Sequence, residues 1–280
     1  MSSNSCKKSK SFFKVIKSYF EEKILLNKIE KGFKNHEFKM YLQFIVDNEN
    51  KNISSAETLS RWEFSDNKVI FPGTYIGLME KTGLIVKFDY YMFENVCRKL
   101  SEWKGTEFEE YVISCNFTRI TISEEDFADR LKEIAERYTF DRSKLMIEIT
   151  EDTVEKNTEL AIRNITKAKE LGFKVALDDI GCGYTSLISL CKYPIDVVKL
   201  DRDLLLLSDS ELGKKLFWGV VSLSHSLNLK VVCEGVETDQ QNSFVSDTGC
   251  DFIQGWYYSK ALPESKAEEF AREYVTKDVK

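Results

Sequence analysis

The feature that most constrains this chain is a recurring event. A short apolar or β-branched run ends in a polar or charged residue, and a helix-length stretch follows before the next such run. Lys174-Val175-Ala176-Leu177 ends in Asp178-Asp179, with Gly181 and Gly183 close behind, so a buried strand delivers two adjacent carboxylates to a glycine-containing loop. Ser55-Ala56-Glu57, Val112 to Asn116, Leu145 to Glu148, Val197 to Lys199-Leu200-Asp201, Val231-Val232-Cys233-Glu234 and Phe252-Ile253-Gln254 repeat the pattern. From Asn116, the groups Glu148, Asp178, Lys199, Glu234 and Gln254 follow at intervals of 32, 30, 21, 35 and 20 residues. A strand, a helix and their loops occupy roughly 30 residues in a (β/α)8 barrel of roughly 250. The spacing therefore predicts such a barrel, whose working groups come from the C-terminal ends of different strands and meet at one mouth.

The first two strands depart from the repeat. Phe38 to Asp47 and Ile53 to Leu59 are separated by residues 48–52 alone, whereas parallel neighbours need a connection of a dozen residues or more. The expected fold is thus α/β, a modified (β/α)8 TIM barrel with an antiparallel first strand. A helix over Glu21 to Lys34 precedes it. A loop around Phe71-Pro72-Gly73, a short helix through Met79 and a long one from Ile85 to Trp103 lead to the strand at Tyr111. Further helices are expected at Glu124 to Tyr138, Glu155 to Leu171, Glu211 to Leu227 and, after Pro263, Glu264 to Tyr274.

Composition narrows the function classes. Forty-six acids against forty bases give a net charge of -6, and no basic stripe with interleaved aromatics runs through the body, which argues against a nucleic-acid polymer as partner. Seven cysteines without a Cys-x-x-Cys pair fit free thiols in a reducing compartment, so a cytoplasmic location is expected. Only His36 and His225 are present, too few for a histidine-rich zinc site. No apolar run reaches the roughly 18 residues of a membrane span. Residues 1–22 carry Lys7, Lys8, Lys10, Lys14 and Lys17 among Phe12, Phe13, Ile16 and Tyr19, a basic amphipathic lead-in to a barrel over residues 23–277. Membrane contact would run only through this segment or an upstream domain.

A lone acid at a strand end is more often a helix cap or a surface ion pair than a ligand. Six at one mouth, Glu57, Glu148, Asp178, Asp179, Asp201 and Glu234, are not accounted for that way. Such a cluster repels itself beyond what Lys199 alone offsets, so several acids are protonated or divalent cations hold them. Oxygen donors without histidine or thiolate favour Mg2+ or Mn2+, and adjacent aspartates suit two ions, a centre for phosphoryl chemistry. Glu151 and Glu237 lie beyond their strand ends, so for each a place in the site is balanced about evenly against simply capping a helix or bracing a loop.

These residues carry a family resemblance. The run Glu57-Thr58-Leu59-Ser60-Arg61-Trp62 resembles the Glu-x-Leu-x-Arg-Trp signature of EAL domains, the bacterial phosphodiesterases that linearise cyclic di-GMP. Asn116-Phe117-Thr118, Glu148-Ile149-Thr150-Glu151, Asp178-Asp179-Ile180-Gly181-Cys182-Gly183-Tyr184, Lys199-Leu200-Asp201, Glu234-Gly235-Val236-Glu237 and Gln254-Gly255 are similar to the family's later motifs in order and spacing. The resemblance covers about residues 23 to 275 and implies a metal-dependent hydrolase that opens cyclic di-GMP to 5'-pGpG. By it, Glu57, Asn116, Glu148 and Asp178 hold one ion, while Asp178 and Asp179 hold a second with help from neighbours such as Asp201. Lys199 orients or accepts from the attacking water, and Glu234 is general base or second-ion water ligand. Gln43, Leu59, Arg61, Gln254 and Glu237 contact substrate, with Gln254 also steadying Glu234, and Glu151 braces the glycine loop, whose ordering is tied to homodimerisation. The alternative is a retired EAL fold that binds cyclic di-GMP or a protein partner without turnover. Departures from the pattern are Thr58 for alanine, Phe44 for proline, and Ile180 and Cys182 in the glycine loop.

Overall fold

The computed structural model describes residues 21–63, 68–150, 158–181 and 189–277. It divides into two compact units, Met1–Lys39 with Ser60–Ile85, and Met40–Leu59 with Val86–Lys280.

Strands β1 (Phe38–Asp47) and β2 (Ile53–Glu63) open the sheet, and β3 (Val69–Ile70) extends its edge beside β2. β4 (Val112–Phe117), β5 (Leu145–Thr150), β6 (Lys174–Ile180), β7 (Val197–Leu200), β8 (Lys230–Cys233) and β9 (Phe252–Gln254) follow, and β10 (Leu262–Pro263) lies outside β1. β2 and β4 to β9 are parallel in sequence order. β1 pairs antiparallel with β9 and also pairs with β2, which closes an eight-stranded barrel. The antiparallel first strand follows from the short connection read in the sequence. The main helices after β3 span Ile76–Thr82, Leu84–Trp103, Phe127–Ala135, Thr158–Glu170, Glu211–Ser226, Asp239–Asp247 and Glu264–Lys277. No helix among the described residues is long and apolar enough to cross a membrane.

Several elements differ from expectation. β2 runs on to Glu63 because it pairs there with β3, Trp62 opposite Ile70, where a loop alone was expected. The helix expected from Glu124 begins at Phe127, since residues 123–126 are spent in a turn. β10 was not foreseen, as two residues carry no periodicity to read.

In the smaller unit, residues 21–34 form a helix, and Phe33, Phe38, Trp62 and Tyr75 make an aromatic cluster. Phe38 lies 5.0, 5.1 and 5.4 Å from Phe33, Trp62 and Tyr75, centroid to centroid. The polar tips are satisfied: Trp62 Nε1 donates to Glu37 Oε2 at 3.0 Å, and the Ser60 and Tyr75 hydroxyls lie 2.8 Å apart.

In the larger unit, the barrel interior is a layer of Ile45, Met146, Ala176, Val197 and Val232, with Val112 and Phe252 against it. Strand side chains alternate between faces with period two. Advancing two residues from Met146, Ala176, Val197, Val232 and Phe252 gives Glu148, Asp178, Lys199, Glu234 and Gln254. In the reversed strand β1, stepping back two from Ile45 gives Gln43. The polar mouth is the next storey on the same pegs as the apolar core. On the outward face of β1, Phe44, standing where the resembling family usually has proline, stacks on Phe270 at 5.6 Å with an 11° interplanar angle.

Thr58 alternates away from Glu57 and is 4% exposed, and its hydroxyl has no partner. A buried hydroxyl without a partner costs about 1 to 3 kcal/mol. Replacing it with a methyl by Thr58→Val is expected to raise the unfolding free energy by about 1 kcal/mol, read as a higher denaturation midpoint; a lower midpoint contradicts the assignment.

Candidate active site

The ammonium of Lys199 stands in the middle of the mouth. Its Nζ is 2.6 Å from Glu234 Oε1, 3.0 Å from Glu148 Oε1, 3.1 Å from Glu57 Oε2 and 3.5 Å from Asp178 Oδ1. The lysine side chain is 1% exposed, so four acids from four strands meet one buried cation. Glu57 is further tied down: Asn116 Nδ2 donates to its Oε1 at 3.1 Å and Gln254 Nε2 to its Oε2 at 2.6 Å. Gln43 completes a chain of amides, accepting from Gln254 Nε2 at 3.5 Å and donating its own Nε2 to the Ser259 carbonyl at 3.1 Å. Ser259 was not singled out in the sequence, since a backbone carbonyl leaves no residue-type signal.

The two adjacent aspartates need a device, because neighbours on a regular strand face opposite sides. The β6–β7 register shifts between Leu177 and Ile180, and Asp179 adopts a left-handed backbone with φ 62°, a conformation that aspartate tolerates better than most residues. This irregularity leaves Asp179 close enough to Asp178, Asp201, Lys199 and Glu57 for their charges to act on it. On the opposite rim, Gly255 abuts Val236: a Cβ there would lie 2.0 Å from the Val236 carbonyl oxygen. Only glycine lets the chain after Gln254 approach so closely.

The electrostatics divide the acids. Burial pushes Glu57 upward, but the Lys199 charge and the hydrogen bonds from Gln254, Lys199 and Asn116 outweigh it, leaving Glu57 below the usual carboxylate range. Burial dominates at Glu148, with Lys199 opposing and Glu57, Asp178 and Glu234 adding, and lifts it well above that range. Asp178 is raised by burial. Asp179 is pushed up to about 6, first by burial and then by Asp178 and Asp201. Glu234 is pushed up to about 8, burial again leading and Lys199 only partly offsetting it. Burial alone would lower Lys199, yet Asp178, Glu148, Glu234 and Glu57 hold it well above the usual lysine value. Lys199 is therefore a cation that donates; it cannot accept a proton from water.

Among the described residues, no three acid, histidine or thiol groups converge to the spacing of a closed metal cage. The donors nevertheless fit a hard divalent cation. Glu148 is completely buried, and neither of its carboxylate oxygens accepts a hydrogen bond, even though Lys199 is close. Oε1 has only its ion pair with Lys199 at 3.0 Å, and Oε2 has no partner among the described residues. A bare buried oxygen in a set of oxygen donors suits Mg2+ or Mn2+, and Mg2+ is ordinarily held by few carboxylates plus substrate phosphate.

The remaining candidates are placed as follows. Asp201 caps the helix Arg202–Leu206, its Oδ1 accepting from Asp203 N–H at 2.7 Å. Glu237 accepts from Arg202 Nη2 at 3.0 Å, and Leu59 is half-buried. Arg61 belongs to the smaller unit, where its guanidinium lies 4.7 Å over the Phe71 ring and donates to the Ser60 carbonyl at 2.8 Å. Glu151 and Cys182 lie outside the described residues.

An acid whose folded pKa is raised binds its proton more tightly when folded, so its contribution is present below the unfolded value and is lost as pH rises through the folded one. For Glu234 that window runs from about 4.5 to about 8, and Glu148 and Asp178 act in the same sense. Glu57 acts oppositely, below its ordinary value. In EDTA, the denaturation midpoint is expected to fall across this window, with a shallower fall in Glu234→Gln. A midpoint that rises across it contradicts the assignment.

Comparison with known proteins agrees with the geometry. The family model of the EAL domain matches residues 26–261. The bifunctional diguanylate cyclase/cyclic di-GMP phosphodiesterase MucR of Pseudomonas aeruginosa is 29% identical over 245 residues, 87% of this chain and 36% of that protein. The cyclic di-GMP phosphodiesterase PdeR of Escherichia coli is 30% identical over 229 residues, 80% of this chain and 34% of PdeR. The chain thus spans about a third of the length of these two relatives. The solved PaMucR phosphodiesterase in complex with c-di-GMP matches with a TM-score of 0.81 and 28% identity, over 86% of this chain and 98% of that one. A crystal structure of an EAL domain protein from Listeria monocytogenes matches at 0.78 and 27%, over 89% and 97%. With the family model matched over residues 26–261 and its closed mixed barrel, the chain belongs to the EAL domain family.

Proposed function

We propose that this chain is a metal-dependent phosphodiesterase that hydrolyses cyclic di-GMP to linear 5'-pGpG. The observation that carries the reading is Lys199 buried among Glu57, Glu148, Asp178 and Glu234, with Glu148 Oε2 buried and without a hydrogen-bond donor. Glu57, Asn116, Glu148 and Asp178 would hold one Mg2+ or Mn2+, and Asp178 and Asp179, with Asp201 beside them, a second. Bound there, such ions neutralise phosphate charge and lower the pKa of a coordinated water.

The chain's own groups do the rest. Water oxygen attacks phosphorus, the bond from phosphorus to the ribose 3' oxygen breaks, and that oxygen leaves as a hydroxyl after taking up a proton. Glu234, whose Oε1 lies 2.6 Å from Lys199 Nζ at the mouth, is the group assigned to accept the attacking water's proton. Lys199 stays charged and donates to the phosphate oxygens as negative charge builds there. Gln254 donates to both Glu57 and Gln43, so the amide that would face substrate is fixed in orientation before it arrives. Within the larger unit, Gln43, Leu59, Gln254 and Glu237 are the groups assigned to the dinucleotide.

The reading includes a homodimer through the face that bears the glycine loop. Gly181 has φ 107°, and a Cβ there would lie 2.8 Å from Leu204 Cβ, so the loop's first residue rests on the helix Arg202–Leu206. Beyond that contact, Leu206, Leu207, Leu212 and Leu216 are 44 to 79% exposed, an apolar surface suited to a second copy.

Purified chain incubated with cyclic di-GMP and Mn2+ should yield 5'-pGpG. EDTA should abolish the product, and Glu57→Ala should lower kcat by at least about a hundredfold. Retained binding without product would instead mark a receptor. Light scattering of the same preparation reads the dimer, and monomer at every concentration would remove that part.

A further inference from the structure

The residue that holds Asn116 in place lies far from it in sequence. Asn116 is exposed at the mouth, so packing does not fix its side chain. Its bond to Glu57 and the backbone on either side must do so. The next residue, Phe117, is 2% exposed and packs edge-on or tilted against Tyr90, Phe93 and Phe127, with centroids 6.1, 5.7 and 5.3 Å away. After it, Thr118 starts the short helix Arg119–Ile122, but its hydroxyl makes no capping bond, although threonine at such a position ordinarily does. It turns instead to Asp89 on the helix Leu84–Trp103. Asp89 Oδ2 accepts from the Thr118 N–H at 3.0 Å, the Thr118 hydroxyl at 2.8 Å and the Thr121 hydroxyl at 2.6 Å, and Asp89 is 3% exposed.

A buried carboxylate is costly without its donors, and removing it deprives the Thr118 N–H of this acceptor and leaves the Thr118 and Thr121 hydroxyls, 3.2 Å apart, only each other. The turn after β4 therefore has one arrangement in which these three donors are met. That arrangement fixes the backbone two residues before it, where Asn116 reaches Glu57.

We propose that Asp89 is a positioning residue of this site, acting through the Thr118 turn to set the Asn116 amide against Glu57. The inference deepens the phosphodiesterase reading, in which Asn116 is an ion ligand, and rests on it for its kinetic consequence only. Asp89 touches neither substrate nor reacting atoms.

The test has a metal-free readout. In chain labelled with 15N-asparagine and kept in EDTA, the Asn116 side-chain amide is identified by the resonance lost in Asn116→Asp. Asp89→Ala should move it toward the position of a free asparagine and speed its hydrogen exchange. Thr121→Val, which removes one of three bonds and spares the fold, should shift it the same way by less, and Asp89→Asn should restore part of the order. With Mn2+, Thr121→Val should lower kcat several-fold while KM for cyclic di-GMP stays within about twofold, since ligand support ordinarily costs about 10- to 100-fold when lost entirely. A resonance unmoved in Thr121→Val and in any folded Asp89 variant overturns the proposal, whatever turnover does. No turnover by the unsubstituted chain, with the resonance moving as described, defeats the phosphodiesterase reading and leaves the positioning role established.

Discussion

Everything at the mouth of this barrel depends on one buried ammonium. Lys199 sits within 3.5 Å of four carboxylates, and one positive charge cannot ionise them all in a medium that solvates charge poorly. The structure resolves the conflict unevenly. Glu57 receives the lysine, two amides and an anionic state, while Glu148 and Glu234 receive burial and are held toward their neutral forms. A site in this condition has a stored preference for additional cations, because each one that enters relieves repulsion that the fold alone leaves in place.

The barrel supports this arrangement by parity. The apolar layer of Met146, Ala176, Val197 and Val232 is separated from Glu148, Asp178, Lys199 and Glu234 by one full pleat on each strand. Core packing thus locks the register that aims the acids, and a slip of one residue would turn every one of them into the surrounding helices. Helices outside the barrel contribute at a distance, as Asp89 does through the Thr118 turn.

This division explains what was legible in the sequence. Strand-end groups could be read because period-two alternation and the interval between strands are local patterns, and the residues that meet around Lys199 all came from them. The antiparallel first strand was legible from the length of residues 48–52. What required coordinates is non-local or backbone-borne. The register shift and left-handed Asp179 are not encoded by a residue type peculiar to bulges. Asp89, mid-helix, looks like a solvated acid until its three donors from another segment are seen. Asp201 could be picked out as a strand-end acid, but its cap to Asp203 emerges only with the helix it starts. Lys199 could be placed from sequence, whereas its role as permanent donor depends on how many acids surround it.

The central claim is that the carboxylates around Lys199 form a site completed by a divalent cation. Its most direct test is a titration of the EDTA-treated, dialysed chain with Mn2+, following free Mn2+ by electron paramagnetic resonance, beside Glu148→Gln. The account predicts saturable binding by the unsubstituted chain and an affinity at least about tenfold weaker in the variant, on the scale seen when support of a metal site is lost. No saturable binding, or equal affinity in both proteins, would contradict it.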